Sequence, residues 1–188
     1  MRAMFGRGQH STVEQLMDIE KKLPFPWLGM DSDNGGEFIN KHVLRWCQEG
    51  RPSPIYYTRS RPYRSNDNAH IEQKNWTNVR HWFGYERHDN PEAVLLINDL
   101  TTSELGQFIN LFSPSVKLES KETSKNGKSR RICGEAVTPF VRVLASPKVT
   151  AEKKEELRQL KTTLNPFGLE VAIQKKLRAI HQVRRALE

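Results

Sequence analysis

The sequence predicts an α/β core followed by a basic linker and C-terminal helices. Short apolar segments alternate with segments of helical periodicity over residues 1–112, as in a layer of strands and helices. Residues 113–131 are polar and basic, and helical spacing returns at the C-terminus. We therefore divide the chain into a core at 1–112, a basic linker or extension at 113–150 and a helical segment at 151–188.

The first two elements follow from apolar spacing and helix-breaking residues. A helix is predicted over 11–23, because Ser11 or Thr12 can cap its N-terminus and Pro24 would end it. The apolar run 25–30 then predicts a buried strand that ends at an acidic, glycine-rich turn.

The remaining elements are predicted from the same patterns. Residues 38–47 have helical spacing and end before a glycine, and residues 55–58 are typical of a second strand. Four further helices are expected, at about 68–84, 91–112, 151–162 and 166–187.

The charge is distributed unevenly. Residues 117–188 contain 17 Lys and Arg against 8 Asp and Glu, a balance of +9, whereas residues 1–116 have a balance of −1. Such asymmetry favours a polyanionic partner, most simply nucleic acid, although a solvated helical tail has the same composition. No stretch approaches the roughly 20 apolar residues of a membrane span, and no signal-peptide core is present. We therefore expect a cytoplasmic protein without a membrane partner.

Two metal-site classes can be excluded from the sequence. Cys47 and Cys133 lie far apart with no zinc-ligand spacing around them, so two buried thiols are expected. An EF-hand loop that started at Asp31 would have Gly35 at its fifth position and His42 at its twelfth, where oxygen ligands are required. Neither a zinc site nor an EF-hand is therefore predicted.

A pair of distant acids suggests a different metal site. Asp33 lies just past the predicted first strand, and Glu72 lies near the start of a later helix, with 38 residues between them. Carboxylates held on rigid elements bind Mg²⁺ or Mn²⁺, and two such ions can activate a water or a 3′-hydroxyl against a phosphodiester. Taken singly, each acid is more typical of an ordinary surface residue.

Cationic and aromatic side chains lie near these acids in the sequence, and further cations lie in the basic linker. They could contact phosphates or stack on bases, or they could be solvated surface groups. The candidate phosphate contacts are Arg59, Arg61, Arg64, Lys74, Arg80, Lys125, Lys128, Arg130 and Arg131, and the candidate stacking residues are Tyr57, Tyr63 and Trp76.

Two segments carry a resemblance to a known family. "LGMDSDNGGEFIN" followed by "YYTRSRPYRSNDNAHIEQKNW" resembles the second half of the integrase catalytic core of bacterial insertion-sequence transposases and, more distantly, retroviral integrases. The resemblance extends over residues 10–112, and "FSPSVKLESK" and "TPFVRVLAS" are similar to the tail of that group.

The resemblance implies a ribonuclease H-like fold and an Asp, Asp, Glu triad that holds two divalent metal ions. Asp33 would be the second acid of the triad and Glu72 the third. Asp31 would support the site or the turn, and Asn34 would be a hydrogen-bonding turn residue. The implied function is metal-dependent cleavage and strand transfer of DNA in transposition, by a homo-oligomer assembled on DNA at the bacterial nucleoid.

The first acid of the triad has no counterpart in this sequence. In the family it lies on the first strand, well before the helix that corresponds to residues 11–23. Glu14, Asp18 and Glu20 lie within that helix and cannot replace a strand residue. We therefore expect an incomplete ribonuclease H-like core that lacks its first strands, and an isolated chain that is inactive in strand cleavage.

Two other functions are compatible with the sequence. The chain could be a non-catalytic DNA-binding remnant or regulator of transposition, whose DNA affinity would be insensitive to Asp33→Asn and lost with the basic C-terminal residues. It could also be the product of a damaged gene without a function of its own.

Overall fold

The structure is a computed structural model that describes residues 1–6, 8–33, 35–38, 41–61, 67, 69–86, 88, 90–123, 127 and 129–185, without the side chains of His70, Arg184 and Arg185. Four predicted site residues, Asn34, Arg64, Lys125 and Lys128, lie outside the described residues, as does Tyr63. The chain is a mixed α/β protein in which 57% of the described residues are helical and the sheets are small.

Helices and strands alternate in the first third of the chain, and helices predominate after it. The elements are α1 (Gln9–Lys21), β1 (Gly29–Ser32), α2 (Lys41–Gln48), β2 (Tyr56–Arg59), α3 (Ala69–Asn75), a π-helical segment (Trp76–Arg80), α4 (His81–Phe83), α5 (Pro91–Thr102), α6 (Glu104–Leu111), β3 (Leu118–Thr123), β4 (Ser129–Cys133), α7 (Pro139–Ala145), α8 (Ala151–Thr163) and α9 (Pro166–Arg185). Within the described parts of the chain, no helix is both long and apolar enough to cross a membrane.

Residues group into two compact units. The first comprises Met1–Thr101 with Gln174–Glu188, and the second comprises Thr102–Ile173. These units differ from the segments predicted from the sequence, because the C-terminal helix α9 contributes to both.

A parallel strand pair organises the first unit. Strand β1 pairs with β2 in the register Gly29↔Tyr56 to Ser32↔Arg59, and α2 lies on the crossover between them, as a parallel connection requires. Leu16 of α1, Val43 and Cys47 of α2, and Ile55 form a buried core beside the strands. Burying each of the larger aliphatic side chains stabilises the fold by roughly 1.5–3 kcal/mol.

One ion pair joins the C-terminal ends of α1 and α2. Arg51 Nη1 and Nη2 donate to Glu20 Oε1 and Oε2, each at 2.6 Å, and Arg51 Nε donates to the Trp46 carbonyl oxygen at 2.6 Å. The guanidinium also lies 4.5 Å from the centroid of the Trp46 ring. The hydrogen bonds from Arg51 lower the pKa of Glu20. Bidentate pairs of this geometry are among the stronger polar contacts of a partly buried surface.

The second unit contains α6, α7, α8 and the antiparallel hairpin β3–β4. Helices α7 and α8 begin at capping threonines, whose Oγ1 atoms accept from the backbone N–H three residues on: Thr138 from Val141, and Thr150 from Lys153. Lys161 of α8 places its Nζ 4.6 Å from the centroid of Phe140. The buried apolar side chains of this unit are Leu105, Leu111, Phe140, Val149, Leu169 and Ile173.

Helix α1 begins earlier than predicted and has a different cap. The N-cap is Gly8, which has an extended backbone and no side-chain cap bond. Thr12 Oγ1 instead donates back to the Gly8 carbonyl oxygen at 2.9 Å, which a side chain inside the first turn can do. The predicted cap at Ser11 or Thr12 is therefore wrong.

Several other boundaries also differ from the prediction. The first strand covers Gly29–Ser32 rather than 25–30, and the predicted helix at 91–112 is broken at Ser103, whose φ of −100° and ψ of −107° are not helical. Residues predicted as a linker form the β3–β4 hairpin, and Cys133 is exposed rather than buried. The two C-terminal helices are confirmed at Ala151–Thr163 and Pro166–Arg185.

Candidate functional site

Several of the predicted site residues lie at the carboxyl ends of β1 and β2. Asp31 of β1 pairs in register with Thr58 of β2, and Thr58 Oγ1 donates to Asp31 Oδ1 at 2.8 Å. Asp31 is exposed, and its carboxylate is bound to the neighbouring strand. This contact joins the two strands near their carboxyl ends.

Asp33 follows β1 directly and is held by the turn. Its Oδ1 accepts from the Gly35 backbone N–H at 2.9 Å, the pattern of an Asx-turn. A Cβ atom at position 35 would lie 3.0 Å from that oxygen and 2.9 Å from the carboxyl group of Glu37. Glycine therefore allows the carboxylate of the half-buried Asp33 to approach the backbone closely.

A hydroxyl pair fixes the backbone on either side of Asp33. Ser32 Oγ lies 2.7 Å from Tyr57 OH, and Tyr57 OH donates to the Phe38 carbonyl oxygen at 3.1 Å. The ring of Tyr57 packs against the core of the first unit. Tyr57 thus holds the turn through its hydroxyl group, and its ring is partly buried against the core.

Glu72 lies in the first turn of α3, as predicted, and it is exposed, as is Lys74. Among the residues that the structure describes, no group of three or more His, Cys, Asp and Glu side chains is arranged to hold a metal ion.

The cations of the connecting loop differ in availability. Arg59 is exposed at the end of β2, in register with Ser32. Arg61 instead forms a bidentate pair with Asp67, from Nε to Oδ2 at 2.8 Å and from Nη2 to Oδ1 at 3.0 Å. These side-chain hydrogen bonds, together with one from the Arg61 backbone, lower the pKa of Asp67 to about 2. Arg61 therefore stabilises the loop, while Arg59 is the better candidate phosphate contact.

Residues beyond Glu72 form an aromatic and cationic surface. Trp76 begins the π-helical segment and is 57% exposed, so its ring could stack on a base as predicted. Arg80 ends that segment, and its guanidinium lies 4.8 Å from the centroid of the Tyr85 ring. π-Helical turns occur frequently at functional sites.

The two predicted arginines of the basic segment lie on strand β4 and are exposed. Arg131 pairs in register with Lys121, and Arg130 pairs with Glu122, so the two pairs lie on opposite faces of the hairpin. Like charges directly opposite each other destabilise a hairpin unless a counter-ion binds them. Lys121 and Arg131 therefore concentrate positive charge on one face of the hairpin.

One pocket was not predicted from the sequence. It has a volume of about 590 Å³ and lies in the first unit, between the segment that follows α4 and the C-terminal part of α9. Its lining is Phe83, Gly84, Tyr85, Glu86, Arg178, His181 and Gln182. The two segments are more than 90 residues apart, so no local sequence signal could have identified the pocket.

Comparison with known proteins finds similarity to an uncharacterized protein. The chain is 43% identical over 109 residues to y4rM, an uncharacterized protein of Sinorhizobium fredii (strain NBRC 101917 / NGR234). The matching region covers 58% of this chain and spans 30% of the length of that protein. No family model matches the chain, and no solved structure matches it.

Proposed function

We propose that the chain is part of a DDE-type transposase or integrase that cleaves and transfers DNA phosphodiesters, with Asp33 and Glu72 as ligands of Mg²⁺ or Mn²⁺. One observation carries the proposal. A parallel strand ends at a turn-held aspartate, and the next strand leads through a basic loop to a helix with a glutamate in its first turn. This is the order of elements in the second half of the ribonuclease H-like core that the sequence resembles.

The donor set suits a hard divalent cation. Both groups are carboxylates, and oxygen is the ligand that Mg²⁺ and Mn²⁺ prefer. Asp33 uses Oδ1 for Gly35, and within the described residues its Oδ2 has no hydrogen-bond partner. Since two carboxylates are too few for two ions, water, phosphate oxygens or other carboxylates would complete the coordination.

Metal ions, when bound, would activate a water or 3′-hydroxyl nucleophile and stabilise the leaving oxygen. The protein residues bind and orient the DNA around them. Arg59 and Lys74, both exposed, would hold phosphates on either side of the acids, and Trp76 would stack on a base. As part of the same proposal, the protein would act as a homo-oligomer on bacterial DNA, in the cytoplasm.

Metal binding tests the proposal directly. We expect Mn²⁺, followed by electron paramagnetic resonance of the free ion, to bind the purified chain, and Asp33→Asn or Glu72→Gln to weaken that binding at least about tenfold. Removing a residue that only supports a metal ligand already weakens metal binding about 10- to 100-fold. Glu92→Gln is the matched control, because Glu92 is also an exposed glutamate in the first turn of a helix of the same unit.

The proposal is wrong if both variants bind Mn²⁺ as tightly as the wild type and the Glu92→Gln control. Circular dichroism of each variant ensures that a loss of binding does not reflect a loss of folding.

The alternative function is non-catalytic DNA binding, which the like-charged Lys121–Arg131 pair favours. Under this alternative, duplex DNA binds with the same affinity in Mn²⁺ and in EDTA, and Asp33→Asn leaves that affinity unchanged. Under the enzyme proposal, Mn²⁺ would strengthen DNA binding, because cations held by Asp33 and Glu72 would reduce the repulsion between these carboxylates and the phosphates, and Asp33→Asn would remove the increase.

A further inference from the structure

We propose that the pocket around Tyr85, called the Tyr85 pocket below, binds an unpaired nucleotide of the nucleic acid partner. It is lined by Phe83 at the end of α4, by Tyr85 and Glu86 after it, and by Arg178, His181 and Gln182 from α9. The inference rests on the proposed action on DNA, and it adds a second binding site that does not involve the acids at Asp33 and Glu72.

Gly84 creates the aromatic wall of the Tyr85 pocket. Helix α4 ends at this residue, whose φ of +74° lies in the left-handed region that favours glycine. The chain then turns away from the helix, with Phe83 buried on one side of the turn and Tyr85 74% exposed on the other. An exposed tyrosine ring at the mouth of a pocket is a stacking platform for a flat heterocycle.

Arg80 holds the tyrosine ring in place. Its guanidinium lies 4.8 Å from the ring centroid, and a cation–π contact of this kind limits the rotation of the side chain. Because most of the ring remains exposed, a second flat group can still stack on it.

Polar groups on the opposite wall can read and hold a nucleotide. Arg178 can donate to a phosphate or to a guanine edge, and Gln182 can form the bidentate contact that amides make with adenine. His181 Nδ1 lies 3.8 Å from Glu86 Oε2, so the two walls of the pocket are in contact at this point.

His88 lies close to both walls of the Tyr85 pocket. Its Nε2 atom lies 3.3 Å from the Phe83 carbonyl oxygen, and its ring centroid lies 6.4 Å from that of His181.

The size of the Tyr85 pocket fits the same class of ligand. About 590 Å³ lies within the range of small-molecule sites, roughly 300–1,000 Å³, and accommodates a base together with its sugar and phosphate. A base inside a duplex cannot stack on a protein side chain, so the occupant must be unpaired, at a single-stranded end or extruded from the helix.

Binding of single-stranded DNA in EDTA tests the inference. Fluorescence anisotropy with a labelled oligonucleotide of about 10 nucleotides, a length within the usual range of such sites, is compared with a hairpin duplex of the same sequence. We expect the wild type to prefer the single strand, and Tyr85→Ala to weaken single-strand binding about 5- to 150-fold, the range for one lost base stack. EDTA excludes any contribution of metal ions at Asp33 and Glu72.

Two variants control for the loss of a surface tyrosine. Tyr56→Ala removes a tyrosine on β2 that is also 74% exposed, and we expect it to bind the single strand like the wild type. Tyr85→Phe keeps the ring and should retain the affinity. If Tyr85→Ala binds as tightly as Tyr56→Ala, the inference is overturned, whatever the result of the Mn²⁺ experiment. If Tyr85→Ala alone is weakened, the inference is supported even if Asp33 and Glu72 bind no metal.

Discussion

At the scale of single residues, Asp33 and Arg61 show how different two predicted site residues can be. Asp33 is positioned by one backbone N–H of a tight turn, which leaves its other carboxylate oxygen available. Arg61 donates two side-chain hydrogen bonds to Asp67, and its charge is largely neutralised by that partner. A sequence pattern marks both as functional, but the partner decides whether the group can bind a ligand.

The Arg61–Asp67 pair predicts an unusual titration. Because Arg61 lowers the pKa of Asp67 from 3.8 to about 2, the contact is fully present above pH 3.8 and is lost as the pH falls through about 2. We expect the Asp67 carboxyl carbon, followed by NMR, to titrate near pH 2 in the wild type and near its ordinary value in Arg61→Gln. Arg59→Gln is the control, and it should change this midpoint much less. A wild-type midpoint near 3.8 would contradict the prediction.

Some residue roles could be predicted, and others depend on tertiary contacts. The placement of Asp33 after a strand and of Glu72 in the first turn of a helix follows from turn and helix-start signals in the local sequence. The packing of Tyr57 and the cation–π contact of Arg80 do not, because each depends on a partner that the local pattern does not specify.

At the scale of elements, the π-helical segment between α3 and α4 is the least regular part of the helix that carries Glu72. A short π turn is geometrically an α-helix with one additional residue, which α-helical hydrogen bonding cannot accommodate. The segment therefore sets the angle around the helix axis between Glu72 and the buried Phe83.

Deleting one residue tests this interpretation. We expect deletion of the exposed Thr77 to convert the segment to a continuous α-helix and to lower the free energy of unfolding by about 1 kcal/mol or less. Deletion of Leu95, which is 70% exposed in α5, is the matched control. The Leu95 deletion rotates the following residues by about 100° and removes Ile97 and Leu100 from the core. We expect the loss of each of these two side chains from the core to lower the free energy of unfolding by about 2–5 kcal/mol.

Urea denaturation of both deletion variants gives the comparison. Equal destabilisation by the two deletions would show that the additional residue at 76–80 is required for the fold.

The hairpin β3–β4 shows why one element could not be predicted. All six residues of β3 are exposed, so neither face is buried and the sequence lacks the period-two alternation that identifies a strand. Its polar, basic composition is typical of a linker, which is what the sequence predicts. The helix break at Ser103 could not be predicted either, because the apolar helical spacing continues from α5 through α6.

At the scale of the whole molecule, the charge asymmetry is the feature that most favours the proposed nucleic-acid partner. The balance of +9 in residues 117–188 includes Lys121 and Arg131, which are directly opposite each other on the hairpin. By contrast, Lys153 and Arg158 of α8 are ion-paired within their own helix to Glu156 and Glu155. The two side chains on the hairpin and the two on α8 carry the same charge, but the hairpin pair is more available to bind phosphates.

The salt dependence of DNA binding distinguishes the cations of the hairpin from those of α8. We expect the slope of log affinity for duplex DNA against log salt to become shallower by about 1.8 in a Lys121→Gln, Arg131→Gln double variant, because each phosphate contact contributes about 0.9. The control is Lys153→Gln, Arg158→Gln, which removes the same charge, and we expect less than half that change. If the two double variants have the same slope, net charge rather than the hairpin surface determines binding.

The π-helical segment Trp76–Arg80 also predicts where homologous sequences differ in length. A single-codon insertion inside an ordinary helix displaces every later residue, whereas in this protein a π turn confines its effect to five positions. Homologous genes that differ in length by one codon should therefore differ within this segment rather than within α5. Chains without the additional residue should still place their counterparts of Glu72 and Phe83 at the same positions in space.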